Sequence, residues 1–200
     1  MKLDFGKTEL KIDVTFAAAV TLTLILDESG IGALALFCCI IHEFGHIVCL
    51  LLLGEKPKSV TLSFYGIKLE RSGEYWGRAR ETAVYASGPV MNFLMALLML
   101  PFGEKTKNAL MLSLLIGAFN LIPCRPLDGG NLLFLWLGGR MSEEKADKLC
   151  FAISCVTVAP LAAAGMAVLP KTGNATLLGV SLYLSAAIFL DKKEKDRVKL

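Results

Sequence analysis

Two histidines and one glutamate in this chain have the types and spacing of a hydrolytic metal centre. They lie in the sequence His42-Glu43-Phe44-Gly45-His46, an HExxH pattern, and no other histidine occurs in the 200 residues. On a helix, residues i and i+4 lie one turn apart on the same face, so both imidazoles can reach one metal ion. Glu43 follows the first histidine, where its carboxylate can act as general base towards a water at the metal.

The HExxH pattern lies inside a long apolar run, residues 30–53, in which Glu43 is the one charged residue. The alternative to a metal site is a buried His–Glu–His cluster that serves structure alone. An ionisable residue at bilayer depth costs about 2.5–3.5 kcal/mol, and helix packing alone requires no such residue there. The metal site is therefore the favoured interpretation.

The composition is that of a membrane protein, with 54% hydrophobic residues and a mean hydropathy of +0.58. We expect an all-α polytopic membrane protein with about six transmembrane helices, of which the first and fourth are short for an apolar core of about 30 Å. The predicted spans are 14–26, 30–53, 82–102, 108–122, 149–169 and 174–190. A single domain, 1–200, is expected to comprise a catalytic core (about 11–138), accessory helices (143–190) and a charged cytoplasmic tail (191–200).

The distribution of lysine and arginine predicts the orientation in the membrane. With six spans and the N-terminus inside, all of the 21 basic residues except Lys105, Lys107 and Lys171 fall on the cytoplasmic side. Both termini are therefore expected in the cytoplasm of a cell-membrane protein. The net charge of +3 reflects this topology, and nucleic acid is not an expected partner.

Residues 57–71 are too polar and too short to cross a membrane as a helix. Val60, Leu62 and Phe64 alternate with polar residues, Gly66 permits a turn, and the alternation then resumes. This pattern predicts a small membrane-associated β-hairpin after the second helix, whose edge could accept an unwound substrate segment. An ordinary cytoplasmic loop is the alternative.

A second group of polar residues follows the fourth span. Pro123 and Pro126 stop the helix, and Asp128 stands before two glycines in what we predict to be a tight, flexible turn. An aspartate before Gly-Gly is also ordinary loop chemistry. A catalytic zinc, however, takes three protein ligands. Apart from Glu43, no acidic residue lies inside a predicted span, so Asp128 is the natural third ligand beside the histidines. Cys124 is close enough in sequence to be a substitute ligand.

The segment 86–93, ASGPVMNF, is predicted to open the third span. Helix–helix packing would explain its small residues. Asn92 is different, because an amide facing lipid is costly and needs a hydrogen-bond partner.

These motifs resemble those of the site-2 protease family of intramembrane zinc metalloproteases. HEFGH, ASGPVMN and FNLIPCRPLDGG are similar to three family elements in the same order, and the similarity covers about residues 11–138. The short first span is most similar to the sporulation-type branch, although we expect neither a CBS nor a PDZ domain. Two positions depart from the family pattern: Cys124-Arg125, where apolar residues are usual, and Asn131, where a basic residue is common.

The resemblance implies one Zn²⁺ per chain, held by His42, His46 and Asp128. It implies Glu43 as catalytic base and acid and Asn120 as a candidate catalytic contact to the oxyanion or to the substrate backbone. Three further residues are candidates for contact with substrate: Asn92, Phe64 and Arg125.

The expected function is cleavage of transmembrane or membrane-proximal segments of protein substrates, in regulated intramembrane proteolysis. The expected partners are a membrane-embedded protein substrate, membrane lipid and a separate regulatory membrane protein. The alternative is a non-proteolytic metal-binding or transport protein of the membrane. A transporter would be expected to show internal repeats and further polar residues in other spans.

Overall fold

The computed structural model divides into two compact units, Met1–Phe119 and Asn120–Leu200. The residues that the structure describes are 2–5, 8–12, 18, 20, 21, 23–25, 27–54, 57–63, 66–71, 77–173 and 175–198.

Helices make up most of the described chain, as the sequence predicts. They are α1 (Ile31–Leu52), α2 (Arg78–Met99), α3 (Lys107–Asn120), α4 (Asp128–Gly138), α5 (Glu143–Thr172) and α6 (Thr176–Val198). A 3-10 helix, Leu100–Thr106, joins α2 to α3 and contains Gly103 at φ 59°, where the chain bends between the two helices.

The first unit also contains a four-stranded sheet of β1 (Lys2–Phe5), β2 (Thr8–Ile12), β3 (Pro57–Ser63) and β4 (Gly66–Arg71). Their order is β1-β2-β3-β4, with β2 and β3 parallel and the other two pairs antiparallel. Strand β3 is thus paired on both sides, and among the described strands β1 and β4 lie at the edges. The sequence interpretation did not include β1 and β2, although their residues alternate between apolar and polar.

The second helix of the first unit begins earlier than the predicted third span, 82–102. It runs from Arg78 to Met99, and Gly88 and Pro89 therefore lie in its interior and do not open it. A proline is tolerated inside such a helix because neighbouring helices and side chains can satisfy the backbone carbonyl that loses its donor. The prediction that the segment 86–93 opens the helix was wrong, because the helix already begins at Arg78.

Among the residues that the structure describes, three helical stretches are long and apolar enough to cross a membrane: Ile31–Leu52, Arg78–Asn120 and Glu143–Thr172. Large apolar side chains on these helices are exposed, for example Ile40 at 63% and Val156 at 72%. Such extended apolar surfaces suit contact with lipid. The first predicted span, 14–26, lies mostly outside the described residues.

The second unit is built from α4, α5 and α6. Leu137 of α4 packs with Ala146 and Cys150 of α5 in its core. A side chain on Gly165 of α5 would lie 2.8 Å from the backbone nitrogen of Leu178 in α6, so a glycine at this position lets the two helices approach closely.

Candidate metal centre

The imidazoles of His42 and His46 lie side by side on one face of α1, and both are buried. Their Nε2 atoms are 3.3 Å apart, and the rings meet nearly edge to face at 81°. Two nitrogens that bind one tetrahedral zinc at about 2.0–2.1 Å are separated by about 3.3–3.4 Å. The pair therefore has the spacing that a shared metal ion requires.

Helix α2 fixes the orientation of the His46 ring. The Nδ1–H of His46 donates a hydrogen bond to the carbonyl oxygen of Val84 at 2.7 Å. The hydroxyl of Ser87 donates to the same oxygen at 2.6 Å. Because Nδ1 carries the proton, Nε2 of His46 keeps its lone pair for a metal ion, as in most histidines that bind zinc.

The ring of His42 is contacted by a second residue of α2. Asn92 is fully buried, and its side-chain amide lies 3.3 Å from Nδ1 of His42. We expected Asn92 to contact substrate. Within the first unit it instead contacts one of the two histidines.

Gly88 provides the space in front of the two rings. A Cβ atom at this position would lie 2.7 Å from Nε2 of His42 and would be closer still to Nε2 of His46. Ordinary van der Waals contact begins at 3.4 Å. The missing side chain leaves room at the two nitrogen atoms that would bind a metal, so the residues of this unit fit a metal ion.

A second glycine permits close contact between the same two helices. A Cβ atom on Gly45 of α1 would lie 2.6 Å from the carbonyl oxygen of Ser87 in α2. Gly45 is one of the two variable residues of the HExxH motif, so that position has a packing role here.

Glu43 and Phe44 occupy the other positions between the histidines. Glu43 is partly buried, and Phe44 is 53% exposed. A carboxylate that is adjacent in sequence to a buried imidazole has the chemistry to receive and return a proton.

Asp128 belongs to the second unit and is the first residue of α4, where its carboxylate is partly buried. The predicted flexible turn at residues 128–130 was wrong, because Gly129 and Gly130 form the first turn of this helix. A Cβ atom on Gly129 would lie 2.5 Å from the carbonyl oxygen of Ile122, and one on Gly130 would lie 2.6 Å from the nitrogen of Arg125. The glycines thus allow α4 to begin directly against the preceding loop, and this packing fixes the backbone of Asp128.

Arg125 lies in that loop and is buried in the second unit. Its guanidinium is 3.7 Å from a carboxylate oxygen of Asp147 and 3.4 Å from one of Asp191, and it stacks over the ring of Phe134 at 4.4 Å. Its backbone N–H donates to the hydroxyl of Ser154 at 3.0 Å. These contacts indicate that Arg125 anchors the loop, a role that the sequence interpretation did not include.

The neighbouring Cys124 is fully buried, and its thiol donates to the carbonyl oxygen of Arg125 at 3.3 Å. Burial raises the pKa of the Cys124 thiol to about 11, so the group is neutral at pH 7. Asn120, the last residue of α3, is partly buried. Phe64 lies outside the described residues.

Sequence reasoning missed the roles of Val84, Ser87 and Gly88 around the imidazoles. The signal that could have found Gly88 and Ser87 was the segment ASGPVMN itself, whose small residues were attributed to helix packing. The contact of Val84 uses a backbone carbonyl, which any residue supplies, so no side-chain pattern marks it.

The chain is similar to known proteins in sequence and in fold. The model of Peptidase family M50 matches residues 103–161. A protein of Synechocystis sp. described as a candidate zinc metalloprotease is 37% identical over 117 residues, which cover 52% of this chain and 30% of that protein. The chain therefore spans less than a third of the length of this curated relative.

A solved structure has a similar fold. It is the site-2 protease from Methanocaldococcus jannaschii, which is 20% identical, with a TM-score of 0.72 over 95% of this chain and 94% of that one. At this identity the likeness establishes the fold.

Proposed function

We propose that this chain is an intramembrane zinc endopeptidase of the site-2 protease family, a proposal that the match to Peptidase family M50, the zinc metalloprotease relative and the similar fold support. The observation that carries the proposal is the pair of buried imidazoles with Nε2 atoms 3.3 Å apart on a helix of membrane-spanning length and hydropathy. A centre of this kind inside an apolar helix suits a substrate that is itself in the membrane.

His42, His46 and Asp128 are the proposed zinc ligands, because two histidines and one carboxylate are a donor set that catalytic zinc takes. When bound, zinc supplies a Lewis acid that makes a water molecule reactive near neutral pH. Cys124 is left out of the proposed set, because its buried thiol already donates a hydrogen bond to the carbonyl oxygen of Arg125.

Glu43 is the proposed general base and acid. Its carboxylate takes a proton from the attacking water and returns it to the leaving amine of the cleaved peptide bond. Asn120 is the proposed hydrogen-bond donor to the oxyanion that forms at the scissile carbonyl.

The proposed substrate is a transmembrane or membrane-proximal segment of another protein. The carbonyl groups of a membrane helix are hydrogen-bonded within the helix, so the substrate must unwind before its peptide bond can be attacked. We propose that the unwound strand adds to the edge of β4, since β3 is already paired on both sides. Phe64 is a proposed side-chain contact beside this edge. The buried contacts of Arg125 favour the loop-anchoring role over the predicted contact with substrate.

The proposed topology has about six spans with both termini in the cytoplasm of a cell-membrane protein. It rests on the distribution of lysine and arginine, of which only Lys105, Lys107 and Lys171 would be outside. A separate membrane protein that regulates access of the substrate is a further proposed partner.

The decisive experiment measures zinc content and cleavage in parallel. The chain is purified in detergent and assayed against a panel of single-span substrates, alongside Asp128→Asn. The wild type should hold about one zinc ion per chain. The Asp128→Asn variant should contain less zinc and should cleave none of the substrates. Asp27→Asn is the matched control, because it makes the same chemical change at a residue that precedes α1.

Full zinc occupancy in Asp128→Asn would remove Asp128 from the ligand set. If the wild type bound zinc and cleaved no member of the panel, the metal-binding or transport alternative would replace the protease.

A further inference from the structure

The amide of Asn92 has an unsatisfied atom in the interior of the first unit. Its nitrogen, Nδ2, lies 3.3 Å from Nδ1 of His42, whereas its oxygen, Oδ1, is buried and has no hydrogen-bond partner among the residues that the structure describes. A buried polar atom without a partner costs about 1–3 kcal/mol. Asn92 itself is 0% exposed, so bulk water does not satisfy this oxygen.

The orientation of this amide determines which nitrogen of His42 carries the proton. If Nδ2 of Asn92 donates to Nδ1 of His42, the neutral ring must carry its own proton on Nε2. That proton can be donated to Nε2 of His46, 3.3 Å away, because the proton of His46 is on Nδ1 and bonded to Val84. In this arrangement Nε2 of His42 has no lone pair to offer a metal ion.

A half-turn of the amide group reverses the arrangement. Oδ1 of Asn92 then accepts a hydrogen bond from Nδ1–H of His42, and Nε2 of His42 gains the lone pair. Both histidines would then have the same pattern, in which Nδ1–H donates to a carbonyl oxygen of α2. A partner of this kind orients most metal-binding histidines and typically contributes a factor of 10–100 to metal affinity.

We propose that Asn92 is a positioning residue whose carbonyl oxygen selects the tautomer of His42 that binds the metal. This inference rests on the proposed function in that it requires a metal at the histidine pair. It replaces the predicted role of Asn92 as a contact to substrate. In the zinc-binding state, Oδ1 of Asn92 accepts a hydrogen bond from Nδ1–H of His42, so the oxygen is no longer unsatisfied.

Zinc affinity tests the proposal without reference to catalysis. Zinc dissociation constants are measured by competition with a chelator for the full-length protein in detergent. Asn92→Leu, which has a similar size and no acceptor, should bind zinc 10–100-fold more weakly. Asn92→Asp keeps an acceptor at the same place and should bind at least as tightly as the wild type.

Ser113→Ala is the control for the loss of a buried polar group. Ser113 is also 0% exposed in the first unit, but its hydroxyl bonds to the thiol of Cys38 at 3.4 Å. This variant should leave the zinc affinity within twofold of wild type. A loss of affinity in Ser113→Ala as large as that in Asn92→Leu would attribute both effects to packing and overturn the proposal.

Nitrogen NMR of the imidazoles gives a second readout, and the chain has only two histidines to assign. In the zinc-loaded wild type, both rings should carry their proton on Nδ1, with both protons protected from exchange. Asn92→Leu should lose the protection at His42 and keep it at His46. A His42 ring protonated on Nε2 in the zinc-loaded wild type would overturn the proposal even if Asn92→Leu failed to fold.

The proposal would also be refuted by unchanged zinc affinity in Asn92→Leu, or by an Asn92→Asp variant as weak as Asn92→Leu. Failure of the wild type to bind zinc would be a different result, because it would refute the proposed function itself.

Discussion

Alanine at Gly88 is expected to remove zinc binding while the fold is preserved. The added Cβ would lie 2.7 Å from Nε2 of His42, where contact requires 3.4 Å, so the ring must move by about 0.7 Å. Metal–ligand distances tolerate only about 0.2 Å. The ring of His46 would have to move further, since it is closer. At least one histidine should therefore be lost as a ligand.

The same substitution should not weaken the helix. Gly88 lies in the interior of α2, where alanine is favoured over glycine by about 0.5–1 kcal/mol. This gain offsets part of the cost of moving the rings. The loss of zinc would therefore not be a consequence of unfolding, and the helical circular dichroism of Gly88→Ala should match that of wild type.

The assay is zinc titration by chelator competition, for which we expect at least a 100-fold weaker affinity. Gly179→Ala is the matched control, because Gly179 lies within α6 and a Cβ there meets no atom within 4 Å. Wild-type zinc affinity in a folded Gly88→Ala would refute the inferred metal position at the two Nε2 atoms.

Three further substitutions and one proline scan test other parts of the molecule. Glu43→Gln should retain zinc, because Glu43 is not a proposed ligand, and should lower the cleavage rate by about 10²–10⁴-fold; retained cleavage would exclude its role as base. Arg125→Met should lower the free energy of unfolding by about 1–3 kcal/mol in thermal denaturation, because it removes the ion pairs of the buried guanidinium with Asp147 and Asp191. An unchanged melting temperature would contradict the anchoring role. Cys124→Ser should keep both zinc and cleavage, and a loss of zinc would identify the thiol as a ligand. Proline scanning of β4 should impair cleavage at positions whose N–H points outward, with zinc content unchanged, and alanine at the same positions should be nearly neutral.

The sequence predicted correctly that two histidines share one face of a helix, because this pattern is local. Residues His42 and His46 are four apart, and helix geometry alone places them on one face. The apolar run around them predicts a helix of membrane-spanning length, and α1 covers most of it.

Contacts between distant segments could not be predicted in the same way. The position of Gly88 against the two rings depends on the packing of α2 against α1. The spacing of apolar residues along the sequence carries no information about how these two helices are aligned. The start of α4 at Asp128 was misread because Gly-Gly usually indicates a turn. Here the two glycines serve close packing against the preceding loop, which only the folded chain reveals.

The close approach of α1 and α2 has a consequence for how a substrate could arrive. Gly45 of α1 admits the backbone of Ser87, and Gly88 of α2 admits the two rings of α1, so each helix fills the gap left by the other. A pair fitted in both directions cannot separate without breaking the hydrogen bond between His46 and Val84. We therefore expect the seam between these two helices to stay closed, so that a substrate would reach the histidines by another route.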